Sequence, residues 1–233
     1  MRTVYLIPTV LAPDALETIP AYVLAAVKKC KIIFAENERT ARRFLKAIDK
    51  GIVIDDFEWY SIDKNNKELE IIFGKKLNED SDIAIISEAG CPGVADPGQD
   101  LVAIAHKMGA IVRPLVGPSS ILLSLMASGM NGQQFEFVGY LPIDNHQRVQ
   151  RILELQSSSK KHNSTKIFIE TPYRNNQLLE ALLKVCDKQT MICIAANISD
   201  ATENIVTQPV EVWRKKKPEL HKQPVIFLLY AGV

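Results

Sequence analysis

SEAGCPGVADPG, residues 87–98, holds three glycines, two prolines and two acids in twelve positions. It follows the apolar run DIAIIS (82–87) and precedes QDLVAIAHKMG (99–109), whose apolar residues recur at helical spacing. A buried strand, a shaped loop and a helix in that order are the unit of a parallel α/β sheet, where ligands bind outside the carboxyl ends of strands. Gly90 and Gly93 allow close approach of a flat ligand, and Pro92 and Pro97 hold the loop rigid, lowering the entropy cost of binding. On spacing alone the segment also reads as a structural turn in which Asp96 or Asp100 caps the following helix and Cys91 is incidental.

The same alternation runs outward from this loop. Apolar runs predict strands at 4–7, 32–35, 52–54, 83–87 and 111–115, with helices over 20–30, 40–48, 68–78 and 99–108 between them. Such a pattern means a mostly parallel sheet covered on both faces. In the second half, strands are expected at 135–140, 166–170, 191–195, 204–206 and 225–229, and helices at 119–128, 146–156, 175–186 and 210–216. Less helix separates the last strands, which predicts a mixed, partly antiparallel second sheet. The seam falls at PLVGP (114–118), giving two α/β domains, 1–116 and 117–233. SSSKKHNS (157–164) reads as a polar surface loop, and RKKKPELHK (214–222) as a solvated helix end.

The bulk numbers remove several function classes. The 233 residues, 47% hydrophobic, suffice for a packed core, and a formal net charge of +1 gives no global pull toward nucleic acid or a membrane. One local basic face would still serve a nucleic acid. Cys30, Cys91, Cys186 and Cys193 form no CxxC pair and read as reduced thiols of a cytoplasmic protein. The four histidines form no HxxxH or HExxH pattern, so no metal site is expected. The N-terminal MRTVYLIPTVLAPD is too short and too interrupted for a signal peptide, and the apolar stretch near 115–130 is broken by Gly117, Pro118 and several serines. No membrane association is expected.

Glycine placement narrows the ligand. No glycine precedes Gly51, and neither G-x-G nor GxxxxGK[ST] occurs, so a Rossmann dinucleotide site and a P-loop are poorly supported. The ligand is not expected to be held by its phosphates. RPLVGPSSI (113–121) is a second strand end, where Ser119 or Ser120 either caps the next helix or faces a ligand. FIETPYR (168–174) is a third, ending in Glu170 and Thr171 before a proline. Thr171 is there either a helix cap or a site residue.

AENER (35–39), SEAGCPGVADPG, PLVGPSSI (114–121), GYLP (139–142) and FIETPYR fall in an order and spacing that resembles the tetrapyrrole methylase superfamily. The chain looks most like its branch of 2′-O-ribose methyltransferases acting on a cytidine of small-subunit ribosomal RNA, over residues 5–229; GYLP and FIETPYR match that branch better than the porphyrin-precursor methylases. The resemblance implies a tetrapyrrole methylase-like fold of two α/β domains with S-adenosyl-L-methionine in the cleft between them, usually as a homodimer. Carried over, Ala89, Gly90, Val94 and Ala95 line the cofactor, with Pro8 from the first strand end and Ser119 and Ser120 from the seam. Glu170, Thr171, Ala196 and Asn197 approach from the second domain.

The chemistry agrees with the residues. This cofactor carries no phosphate, so the absence of a phosphate loop is expected, and methyl transfer rests on alignment rather than on a nucleophilic side chain. A ribose hydroxyl must lose its proton, for which Glu36 and Glu170 are the candidate catalytic carboxylates. Arg39, Arg42 and Arg43, with Lys46, recur on one helical face, either an RNA-backbone contact or an ordinary solvated helix. Three departures bear on the acceptor. The branch's TPIGNLGD-like first loop is here the glycine-free PTVLAPDALET, its AEDTR is AENER, and its ARELTK is AANISD (195–200). Ala196, Asn197 and Asp200 thus stand where that pattern has Arg, Glu and Lys. A cofactor-binding module without transfer activity, or a methylase of another small acceptor, is the alternative expectation.

Overall fold

In a computed structural model describing residues 2–63, 67–79 and 81–232, the chain divides into two units, Met1–Ser119 and Ser120–Val233. In the first, strands β1 (Thr3–Ile7), β2 (Cys30–Ala35), β3 (Glu58–Ser61), β4 (Asp82–Ile86) and β5 (Ile111–Pro114) form a sheet in the order β3-β2-β4-β1-β5. Every pair is parallel. Alternate side chains split the core between the two faces. Tyr5, Ile7, Ile33 and Ile86 pack against α1 (Tyr22–Val27) and α2 (Glu38–Ile48). Val4, Phe34, Ile83 and Ile85 pack against α3 (Lys67–Lys76) and α4 (Gly98–Lys107). Burial on both faces is what continuous apolar strands require.

One expected strand is corrected. Residues 52–54 are not a strand; Ile54–Asp56 form a 3-10 turn and β3 follows at Glu58–Ser61. β3 is an edge strand buried only in part, so no apolar run marks it in the sequence. The first helix also stops at Val27, because Cys30 already belongs to β2.

The second unit opens on α5 (Ser120–Ser128) and continues through β6 (Phe135–Tyr140), α6 (Asn145–His162), β7 (Thr165–Ile169), α7 (Asn175–Val185), β8 (Met191–Ala196), β9 (Asn204–Pro209), α8 (Val210–Trp213) and β10 (Val225–Tyr230). The sheet order is β6-β7-β10-β8-β9, with β6 and β7 parallel and the remaining neighbours antiparallel. The mixed sheet read from the short final helices is therefore present. Phe168, Phe227, Ile194 and Trp213 belong to the core this sheet shares with α6 and α7. SSSKKHNS is not a loop: helix α6 runs on to His162 and ends on Asn163 at φ 49°. Ser159 in that stretch is fully buried, and its Oγ accepts from the Ala231 N–H at 2.8 Å. A polar composition hid a helix whose inner face is paired to the chain end.

Candidate functional site

In the first unit the chain leaves β1 toward β2 on one side and leaves β4 toward β5 on the other, although β1 and β4 are adjacent. The crevice between loops departing in opposite directions is where open α/β sheets bind ligands. SEAGCPGVADPG is one wall of it. Thr9 and Gly90 exchange backbone hydrogen bonds, Thr9 N–H to Gly90 O at 2.9 Å and Gly90 N–H to Thr9 O at 3.2 Å. Ser87 Oγ donates to Gly90 O at 2.9 Å, and Thr9 Oγ1 donates to Ser87 O at 3.3 Å. Gly90 has φ 78°, a left-handed conformation that glycine adopts at no steric cost.

Three further contacts shape the loop. Asp96 Oδ1 accepts from Gly93 N–H at 2.8 Å and Gly98 N–H at 2.7 Å, folding the turn onto the first residue of α4. Burial pushes the Asp96 carboxyl up despite those two donors. The Cys91 thiol, read from sequence as incidental, lies 3.4 Å from Pro118 O and ties this loop to the one after β5. Gly117 sits so close to Pro8 that a Cβ there would come within 2.1 Å of the Pro8 Cβ. The loops after β1, β4 and β5 are thereby one assembly. Thr9 and Gly117 were missed as structural members of it, because only the neighbouring loops give them their roles. Ala89 and Val94 are left exposed on this assembly, Val94 at 51%, and Ala95 holds φ 60° without being glycine. Strain of that kind, about 1–2 kcal/mol, persists where the surroundings fix the backbone.

The charged candidates nearby divide. Glu36 Oε2 accepts from the Glu88 N–H at 2.9 Å, and Asn37 Nδ2 donates to Glu88 Oε1 at 3.2 Å, so the start of α2 is tied to the glycine loop. Arg42 pairs with Glu38 at 3.0 Å and stacks over Trp59, 4.8 Å from the ring centre. Arg39 and Arg43 are exposed. Arg43 also lines a pocket of about 340 Å³ with Leu11, Thr40, Phe44, Glu88 and Ala89.

In the second unit Glu170 follows β7 directly and is 5% exposed. Its Oε1 accepts from Thr171 N–H at 2.6 Å and from Arg174 Nε and Nη2 at 3.0 and 2.6 Å. Its Oε2 is buried with no partner among the described residues. A buried carboxylate oxygen without a donor is costly and points to a missing donor group. Thr171 is not a helix cap, since α7 starts at Asn175 after Arg174. The segment before β10 pins the neighbouring strand ends: Lys222 N–H donates to Pro172 O and Asn197 N–H to Pro224 O, each at 3.0 Å. Ala196 is buried at the end of β8, and Asn197 has φ 53° with its amide held by Thr202 and Gln223. Ser119 ends the first unit and Ser120 begins α5 in the second.

Comparison with known proteins points one way. A family model described as Tetrapyrrole (Corrin/Porphyrin) Methylases matches residues 4–212. Ribosomal RNA small subunit methyltransferase I of Halalkalibacterium halodurans is 32% identical over 82% of this chain and 63% of its own length. The protein of that name from Vibrio cholerae is 29% identical over 72% of this chain and 58% of its own. The Thermotoga maritima protein is 28% identical over 87% and 89%. The chain thus spans less than two thirds of the length of the first two. Among solved structures, the methyltransferase CobJ aligns with TM-score 0.64 at 18% identity, covering 98% of this chain and 92% of that one. Uroporphyrin-III C-methyl transferase from Thermus thermophilus, complexed with S-adenyl homocysteine, aligns with TM-score 0.59 at 16% identity, covering 99% and 97%. These likenesses show the two-unit α/β fold.

Proposed function

Because the chain belongs to the tetrapyrrole methylase family, we propose that it is an S-adenosyl-L-methionine-dependent methyltransferase whose acceptor is a ribose 2′-hydroxyl of small-subunit ribosomal RNA. The observation that carries this reading is the joined loop assembly of the first unit, in which Gly90 is bridged to Thr9 at the crevice between β1 and β4. It offers backbone and small apolar side chains at a ligand site and no phosphate cradle, which fits a ligand with an adenosyl group and no phosphate. The residues proposed to hold it are Pro8, Ala89, Gly90, Val94, Ala95, Ser119, Ser120, Glu170, Thr171, Ala196 and Asn197.

When bound, the cofactor supplies an electrophilic methyl group. The chain's own part is orientation, exclusion of water and removal of the acceptor proton. Glu170 is the stronger base candidate, because its buried Oε2 has no partner among the described residues. Glu36 holds the glycine loop through the Glu88 N–H and acts by positioning. Arg39 and Arg43 are exposed and form no ion pair among the described residues, which suits them to meet RNA phosphates, whereas Arg42 is engaged with Glu38 and Trp59. We place the protein in the cytoplasm, and no helix among the described residues is long and apolar enough to cross a membrane. We further take it to act as a homodimer, since α5 leaves Leu122 and Met126 exposed at 51% and 78% on one helical face.

One observation favours the alternative, a cofactor-binding module or a methylase of a small acceptor. At AANISD the Asp200 carboxylate accepts from Thr202 N–H and Oγ1, and the local turn is closed on itself where the RNA branch has a cation. Calorimetry with S-adenosyl-L-methionine and transfer of a labelled methyl group to small ribosomal subunits decide the matter. Micromolar cofactor binding with ribose methylation is the expected result. Binding without transfer selects the module or the small-acceptor methylase, which release of S-adenosylhomocysteine with cell extract separates, and no binding at millimolar cofactor overturns every one of these readings. Glu170→Gln is expected to slow transfer at least 10-fold and to change its pH profile, because the amide cannot take a proton. Sedimentation of the protein is expected to give the mass of a dimer, and Met126→Asp to shift it toward monomer.

A further inference from the structure

The second unit contains a cavity of about 570 Å³ whose lining shares Ala196 and Asn197 with the proposed cofactor residues and is otherwise without a role in the reading above. β9 is the edge strand of its sheet, and Asn204, Val206 and Gln208, two residues apart, line this cavity from one face of the strand. Trp213 lines it from α8, and Lys216 and Lys217 from the turn that follows. The volume lies within the range of small-ligand sites.

The polar groups there are not equally available. Trp213 Nε1–H donates to Ile192 O at 2.9 Å and the residue is only 6% exposed, so the indole is a fixed apolar part of the cavity floor. The Asn197 Nδ2 already donates to Thr202 and Gln223, and Glu219 accepts from Asn176 and from the His221 N–H. By contrast, the amides of Asn204 and Gln208 have no side-chain partner among the described residues, and Lys216 and Lys217 form no ion pair among them. An amide carries donors and an acceptor in one plane and matches the edge of a heterocyclic base. A fixed apolar floor suits the body of a base, and ammonium groups suit phosphate.

We propose that this cavity binds one nucleotide of a single-stranded RNA, with the base against Trp213 between the Asn204 and Gln208 amides and its phosphates on Lys216 and Lys217. It is a second RNA contact, separate from the basic face of α2, and it rests on the RNA-methyltransferase reading. It also assigns work to the RKKK run, which composition alone describes as a solvated helix end.

The test is fluorescence anisotropy of a labelled single-stranded RNA of about ten nucleotides, with cofactor calorimetry on the same proteins. The double variant Lys216→Ala/Lys217→Ala is expected to bind roughly 10-fold more weakly and to flatten the slope of log K against log salt by about 1.4, two phosphates at about 0.7 each. Asn204→Ala/Gln208→Ala is expected to lose roughly 10-fold with the salt slope unchanged, as for base contacts. Wild-type affinity in both variants overturns the proposal. So does equal competition by base-free polyphosphate with no effect of the amide variant, since the cavity would then take phosphate alone. Cofactor binding and RNA methylation retained through such a failure leave the methyltransferase reading standing. Their absence in the wild type sinks that reading, and the anisotropy still decides whether the cavity holds RNA.

Discussion

At the scale of single residues, the loop assembly depends on close approach and on one half-buried acid. Gly117→Ala would drive a Cβ into the Pro8 ring, 2.1 Å from its Cβ and 2.6 Å from its Cγ, and a proline ring cannot rotate away. We expect a loss of about 1–3 kcal/mol in urea unfolding, in the range of overpacked sites, together with weakened cofactor binding by calorimetry. Asp96 gives a pH signature. Burial raises its folded-state pKa above the ordinary carboxylate value, so its favourable contribution is present below the unfolded pKa and is lost as pH rises through the folded one. Asp96→Asn keeps an oxygen acceptor for the Gly93 and Gly98 N–H groups and removes the partly desolvated charge. Melting followed from pH 4 to 8 should show a flatter stability profile than wild type and a higher melting temperature at neutral pH. The thiols behave alike for the same reason: burial pushes Cys30 and Cys186 up to about 12, so native protein at pH 8 should not react with alkylating reagents at these positions.

At the scale of elements, caps and edges decide what composition conceals. Asn37 begins α2, its Oδ1 accepting from Thr40 N–H at 3.2 Å while its Nδ2 reaches Glu88. Asn37→Ala removes both, and should destabilise the protein by about 1 kcal/mol in denaturant unfolding, with the glycine loop loosened as well. The interior strands were readable because burial on both faces demands an unbroken apolar run, as in IIF of β2 and IAII of β4. β3 was not readable, since an edge strand with one sheltered side tolerates EWYS. The C-terminal half of α6 was hidden for a related reason. Its SSSKKH stretch is polar throughout, yet Ser159 is held by the Ala231 N–H, a partner 72 residues away that no local pattern reveals.

At the scale of the whole molecule, each unit carries its own core: two clusters flank the sheet of residues 1–119, and one large cluster fills 120–233. We expect a fragment of residues 1–119 to fold alone, with helical and strand circular dichroism and a cooperative thermal transition; a fragment without a transition would mean that its sheet needs the other unit. The sequence by itself determined the alternation of strands and helices, the two-part organisation and the loop at 87–98, because apolar periodicity and turn chemistry act between near neighbours along the chain. Only the tertiary structure decided which loops meet. That Thr9 bridges Gly90, that Gly117 lies on Pro8, that the Glu170 Oε2 is left without a donor and that Asn204 and Gln208 open onto the same space as Trp213 all follow from strand order and register. Those are set by packing between residues far apart in sequence, where local preference carries no information.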